Sequence, residues 1–314
     1  MHRVALLGHF IVYVIVRFLI FVVQMIPLAV GSWLAWCLAY LFTYVLRIRY
    51  SVADENLRYA FAELSPSQRR DLILRMWHHL FLLVMEVAHT QAKIREENWR
   101  QRATLKNVEP LVKLLLEDRP VIIVTAHFGN FELGGYMLGL LGFPSATIAR
   151  NLDNPFLDRF VQRFRAARGQ YLIPKVGGAD QVEEMIQKGH TIAVLADQDA
   201  GRKGCFVPFF GRPASTFKAI ALLSLEYDAP IAVVYARRTG KPLHFEMGLV
   251  GILDPRDVSA PDAVTFVTQW YTSRLEEMIR SAPEQYWWIH RRWKTQPKSL
   301  KTRTPSEQTV RKAA

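Results

Sequence analysis

The sequence predicts an α/β fold: a mostly parallel central sheet flanked by helices, preceded by a hydrophobic, helical membrane-anchor region. Three observations carry this expectation. From Pro120 onward, β-branched apolar runs of strand length alternate with helical patterns. Two consecutive apolar runs of about 20 residues open the chain, the length of helix that crosses a bilayer core. Polar residues gather where the strand-like runs stop, beginning with His127, and open α/β sheets bind ligands at the carboxyl ends of their strands.

The first apolar run, Val4 to Val23, is interrupted only by His9 and Arg17 among its aliphatic and aromatic residues, apart from Gly8. After Ile26-Pro27 the second, Leu28 to Leu46, carries no charge. No small-x-small cleavage site follows the first run, so an uncleaved anchor over residues 1–49 is expected rather than a signal peptide. Arg17 suggests a partly interfacial or snorkelling helix. Arg47, Arg49 and Arg58 follow the second run and place the next domain on the cytoplasmic side. A buried helix pair of a soluble protein is the alternative, but two consecutive runs of this length are unusual there.

Residues 51 to 100 read as helical, with Ser65-Pro66 and Gln68 forming a capping box ahead of a wide apolar stripe. Strands are expected at Val121–Ala126, Ala146–Ala149, Tyr171–Ile173, Thr191–Ala196 and Ile231–Ala236, with His244–Val250 as an edge strand. Helices are expected at 131–141, 155–168, 179–188, 216–227 and 262–281. This second unit, residues 50–297, lacks a Gly-x-Gly-x-x-Gly or Walker-type signature, so a nucleotide-binding fold has no positive support. The remainder, 298–314, is basic, poor in apolar residues and expected to be disordered.

Charge narrows the partners without choosing among them. The 40 Lys and Arg against 28 Asp and Glu give +12, concentrated after Ile289 and between Arg150 and Arg168. Nucleic acid, anionic membrane and acidic protein all suit such a surface. Cys37 and Cys205 are too far apart to suggest a zinc or redox pair, and His78-His79 belongs to no ligand motif, so no metal is expected.

The chemistry-bearing stretches begin at Val121-Ile-Ile-Val-Thr-Ala-His127, followed by Gly129-Asn130 and then Glu132 in the first turn of a helix. A carboxylate that returns to the imidazole would fix its tautomer and stabilise the imidazolium, as a general base requires. The structural alternative is a polar strand end beside a helix N-terminal carboxylate. A second strand end carries Asp197-Gln-Asp199-Ala-Gly201-Arg202-Lys203-Gly204, on the same edge as His127 if the sheet is parallel. It reads either as a head-group loop or as a turn held by its aspartates. The aromatic stretch Cys205–Thr216 reads as a loop ending in Gly211-Arg212-Pro213, with Ser215 or Thr216 capping the next helix. There is no Gly-x-Ser-x-Gly elbow, which disfavours a covalent acyl-enzyme.

Taken in order, His127-Phe-Gly-Asn-Phe-Glu132, Asn154-Pro155, Asp197–Gly204, Phe209-Phe-Gly-Arg-Pro213 and Trp288-Ile-His-Arg-Arg-Trp-Lys294 resemble the late, lauroyl/myristoyl-type acyltransferases of lipid A biosynthesis, within the glycerolipid acyltransferase superfamily. The resemblance covers about residues 10–297 and implies that His127 and Glu132 form the catalytic dyad. It further implies an arginine from the helix after Asn154-Pro155, matched by Arg165 or by the nearby Arg168, and an aspartate matched by Asp199. Asn130, Arg150, Arg165, Arg168, Asp197, Asp199, Arg202 and Arg212 are the expected substrate contacts. Backbone N–H groups near Gly129, or Arg165, are expected to stabilise the oxyanion.

The expected enzyme transfers a fatty acyl chain from a thioester to a hydroxyl of a lipid A precursor resembling Kdo-lipid IVA, at the cytoplasmic face of a bacterial inner membrane. Acyl carrier protein is the expected donor and acyl-CoA the alternative, with no metal or bound cofactor. Another glycolipid, phospholipid or aminolipid acceptor is possible chemistry for the same dyad. A basic, membrane-anchored protein binding lipid or nucleic acid is the rival from another class, and specific nucleic-acid binding is not expected of the enzyme. Trp287–Lys294 mixes aromatic and cationic residues as interfacial segments do, and Arg291 and Arg292 are expected to anchor the domain to anionic lipid.

Overall fold

A computed structural model describes residues 2–149, 151–174 and 177–297. Arg150 and the tail 298–314 therefore lie outside the described residues.

Two apolar helices, α1 (His2–Met25) and α2 (Leu28–Tyr40), meet at Ile26-Pro27, and α2 runs on into a π-helical turn at Leu41–Val45. Both apolar segments, Ala5–Met25 and Leu28–Val45, are long enough to cross a membrane. The Ala5–Met25 stretch has no buried residue, but α1 is tethered at both ends. The Asn154 side-chain amide donates to His9 O at 2.8 Å and Gln24 donates to Ala88 O at 2.8 Å. Arg17 remains exposed, with its guanidinium over the Phe160 ring at 4.6 Å. α2 buries its small residues Gly31, Ala35 and Ala39. A Cβ at Gly31 would fall 1.9 Å from the Met85 methyl, so the helices cross closely here with the end of the Met85 side chain filling the space above the glycine.

α3 (Tyr50–Ala60) and α4 (Pro66–Lys93) follow. The capping box forms as the sequence predicts: Ser65 Oγ accepts from Gln68 N, and the Gln68 side chain accepts from Ser65 N. Although α4 is also long and apolar enough to span a membrane, half of its apolar window is buried, with Ile73, Met76 and Leu83 in the protein interior.

The central sheet has seven strands in the order β1-β9-β8-β2-β5-β3-β4. Their ranges are β1 Ala103–Lys106, β2 Ile122–Thr125, β3 Ser145–Ala149, β4 Gln170–Pro174, β5 Thr191–Leu195, β8 Ile231–Arg238 and β9 Phe245–Leu253. β2, β3, β4, β5 and β8 are mutually parallel; β9 runs antiparallel to β8, and β1 parallel to β9. The expected edge strand is thus internal, because β1 covers it. With one buried residue in four, Ala103, β1 lacks the apolar run that marks the other strands. Helices α5 (Glu109–Leu115), α6 (Phe131–Leu140), α7 (Pro155–Ala166), α8 (Ala179–Gln187), α9 (Ala219–Glu226) and α10 (Ala263–Ser281) complete the described chain.

The aromatic stretch is a hairpin, not a loop: β6 (Cys205–Phe209) pairs with β7 (Arg212–Thr216). Phe210 and Gly211 both take positive φ, 51° and 72°, the backbone of a tight two-residue hairpin turn. Ser215 and Thr216 therefore belong to a strand, and α9 starts only at Ala219. Segment Trp287–Lys294 departs further from expectation. Trp288 is 1% exposed and Arg292 2% exposed, with the guanidinium donating to Ser215 O and Thr216 Oγ1. Arg292 closes the core over the hairpin and cannot reach lipid, whereas Arg291 and Lys294 are exposed.

Candidate active site

β2 and β5 are parallel neighbours in the middle of the sheet, so the residues just past their carboxyl ends meet. His127 follows β2 and Asp197 follows β5. Asp197 grips His127 twice: Oδ1 lies 2.9 Å from Nδ1, and Oδ2 accepts from the backbone N–H at 3.0 Å. A carboxylate opposite Nδ1 fixes the proton there and leaves Nε2 as the basic nitrogen. Burial pulls the imidazole towards its neutral form, but the charge and hydrogen bond of Asp197, helped by the charge of Glu132, outweigh it and raise the pKa above its usual value. Burial likewise opposes ionisation of Asp197, yet its contacts with His127 hold the carboxyl below the ordinary range. Burial, with the charge of Asp197, pushes the Tyr286 phenol well up. The rings of Trp287 and Phe131, with centroids 4.8 and 5.1 Å away, flank the imidazole.

Glu132 does not supply the imidazole's hydrogen bond. It sits in the first turn of α6, where Arg165 of α7 holds it through Nε at 3.1 Å and through a second contact from Nη2. Glu132 acts on His127 through space only. Arg168, three residues later, turns to Glu96 at 3.0 Å, so Arg165 alone of the two faces Glu132.

Glu132 and Arg165 stand at one end of an apolar cleft between the sheet and helices α5 and α6. Ile123, Ala193 and Val234 form its sheet wall, and Leu111, Leu115 and Leu138 its helical wall. The cleft encloses a cavity of about 150 Å³ and opens to solvent. Its apolar lining suits a hydrocarbon chain.

The remaining expected substrate contacts are dispersed. Asn130 is fully buried; its Oδ1 caps α6 by accepting from Leu133 N, and its Nδ2 donates to Glu86. At 0% exposure it cannot contact a substrate. Asp199 faces inward, its N–H donating to His290 Nε2 at 3.1 Å and its Oδ2 accepting from Thr295 at 2.8 Å. Arg202 is exposed in a short 3-10 turn, Gly201–Lys203. Arg212 stacks on Tyr59 of α3 at 3.8 Å. Gly129 N–H donates to Gln285 O and Asn130 N–H to Ala236 O, so neither of these two is available to an oxyanion. Tyr286, Trp287 and His290 come from beyond α10; the aromatic and cationic pattern of Trp287–Lys294 marks the segment in the sequence but not its place beside His127. Among the described residues, no cluster of three or more His, Cys, Asp and Glu could hold a metal ion.

This arrangement supplies an oriented imidazole base next to a cation–carboxylate pair and a hydrocarbon slot, the parts an acyl transfer to a hydroxyl requires. Comparison with known proteins points to acyl transfer. The chain is 28% identical to the lipid A biosynthesis palmitoleoyltransferase of Escherichia coli (strain K12) over 257 residues, 80% of this chain and 81% of the relative. It is 25% identical to the lipid A biosynthesis lauroyltransferase of the same organism over 263 residues, 82% and 83% of the two chains. Among solved structures, a 1-acyl-sn-glycerophosphate acyltransferase from Thermotoga maritima covers 80% of this chain and 98% of its own, at 13% identity and a TM-score of 0.38. The model of the bacterial lipid A biosynthesis acyltransferase family matches residues 2–295, and the chain belongs to that family of acyltransferases.

Proposed function

We propose that the protein transfers a fatty acyl chain from an acyl thioester to a hydroxyl of a lipid A precursor resembling Kdo-lipid IVA, with His127 as general base. The observation that carries this reading is the His127–Asp197 pair, which orients the imidazole with Nε2 as its basic nitrogen. His127 Nε2 takes the hydroxyl proton as the oxygen attacks the thioester carbonyl. The tetrahedral intermediate collapses with cleavage of the C–S bond, and the imidazolium returns the proton to the departing thiolate. The step balances from hydroxyl and thioester alone, with no cofactor required.

In this reading Glu132 works electrostatically. It supports the imidazolium through space and holds the Arg165 guanidinium, which stabilises the oxyanion or an anionic group of the acceptor. The apolar cleft receives the acyl chain. Acyl carrier protein is the proposed donor, its acidity suiting a chain of net charge +12. Inner-membrane residence follows the lipid A relatives, and Arg47, Arg49 and Arg58 after the second apolar helix support a cytoplasmic catalytic domain.

The test is turnover of purified protein in detergent, supplied with acyl carrier protein loaded with one fatty acid and with a tetra-acylated, Kdo-bearing lipid A precursor. A product heavier by that acyl group supports the reading. No product with this donor or with acyl-CoA, from a folded sample, contradicts it.

A further inference from the structure

Beneath the His127–Glu132 turn lies a buried polar network that makes no contact with the cleft. Glu86 is 0% exposed, His79 2% and Arg238 9%. Arg238 binds both carboxylate oxygens of Glu86, from Nε and Nη2, each at 2.6 Å. Its Nη1 lies 2.6 Å from His79 Nδ1, and His79 Nε2 lies 3.1 Å from Gly129 O. Guanidinium only donates and a carbonyl only accepts, so the geometry requires neutral His79 with its proton on Nε2. Glu86 also accepts from Asn130 Nδ2 at 3.0 Å and from Leu243 N at 3.0 Å.

The same arginine reaches the turn by a second route, through its backbone. Arg238 N–H donates to Gln285 Oε1 at 2.9 Å, and Gln285 Nε2 donates back to Arg238 O at 3.0 Å. Gln285 O then accepts from Gly129 N, and Trp287 N donates to His127 O. The turn is thus held from α4 on one side and from the segment after α10 on the other. Arg238 joins the two. Gly129 has φ +57° and lies so close to β8 that a Cβ would meet Ala236 O at 2.1 Å. Only glycine therefore fits this turn at its close approach to β8.

We infer that Arg238, acting through Glu86, His79 and Asn130, is a positioning residue that sets the His127–Glu132 turn for catalysis. Stability alone gives no reason for such a network, because replacing a buried ion pair by apolar residues is often neutral or stabilising. What apolar residues cannot supply is direction. The Gly129 carbonyl and the Asn130 amide, which lie between the base and Glu132 in sequence, each receive an oriented partner here. The inference rests on the base assignment made above for His127.

The experiment compares full-length, detergent-purified variants by thermal melting and by kcat and KM for both substrates. The paired change Glu86→Leu with Arg238→Met removes both charges and leaves neither one orphaned. It is expected to melt cooperatively while kcat falls by about tenfold or more and KM stays within about threefold, since small misplacements of reacting groups cost rate rather than binding. His79→Gln keeps a donor for Gly129 O and an acceptor for Arg238, so it is expected to retain most of kcat, whereas His79→Leu is not. Near-normal kcat in a folded paired variant overturns the inference. If that variant does not fold, equal kcat in His79→Gln and His79→Leu overturns it, and the expected contrast between them supports it. A His127→Ala control separates the two claims: an inactive control with a fully active paired variant refutes the positioning role and leaves the base assignment standing.

Discussion

His127 Nδ1 and Asp197 Oδ1 lie 2.9 Å apart although 70 positions separate the two residues. Neighbouring parallel strands bring them together. The consequence is a pH dependence with a definite sign. The imidazole is raised above its usual value, with burial opposing and Asp197 prevailing, so activity should rise with pH as His127 loses its proton. Asp197→Asn removes the stabilising charge, so the acid limb should move to lower pH while the plateau falls by ~10²–10⁴-fold. An acid limb that stays in place would show that another group controls it.

Glu132 and Arg165 form one unit, partly shielded from solvent. Arg165→Ala and Glu132→Gln should each lower kcat. The double change should cost less than the sum of the two, with a coupling of about 0.5–3 kcal/mol as for residues in direct contact. Arg168→Ala, which breaks only the more exposed contact to Glu96, should leave kcat within about twofold, consistent with the small effect of exposed ion pairs. Kinetics of the five proteins, wild type included, check this.

The cleft makes a separate prediction about product. Leu138→Trp adds bulk to the helical wall and should shift the preferred acyl chain towards shorter lengths, with kcat on a short donor largely kept. Competition between donors of two chain lengths, read by mass spectrometry of the product, measures it. An unchanged preference would place the acyl chain elsewhere.

Arg292 should matter for stability rather than for membrane binding. Arg292→Ala removes two buried, charge-assisted hydrogen bonds, to Ser215 O and Thr216 Oγ1, at a cost of about 1.5–3 kcal/mol for each, although Ser215 O keeps Ala200 N and Thr216 Oγ1 keeps Ala214 O. Its melting temperature should fall clearly, while exposed Arg291→Ala should melt as the wild type does. Equal melting of the two would contradict the structure.

What was legible in the sequence follows from which forces act locally. The five parallel strands carry their own apolar runs, and α4 announces its start through Ser65 and Gln68, so pattern alone finds them. β1 does not, because a short and mostly exposed strand leaves no periodic trace. The hairpin β6–β7 hid behind aromatics that suit a loop as well as a buried strand face. At the site, His127, Asp197 and the cation near Glu132 were all visible as residues, but their pairing was not. Nearness in sequence favoured Glu132 as the imidazole's partner, whereas sheet order delivers Asp197. Arg292 shows the same limit: a cationic and aromatic segment reads as interfacial until tertiary packing turns one arginine inward.

The most direct test of the account is the turnover rate of a folded His127→Ala protein, measured with saturating acyl donor and acceptor and read by mass spectrometry of the acylated lipid. The expected result is a loss of ~10²–10⁴-fold with melting close to that of the wild type, as for removal of a general base. Turnover near the wild-type rate in that folded protein would contradict the assignment of His127 as the base.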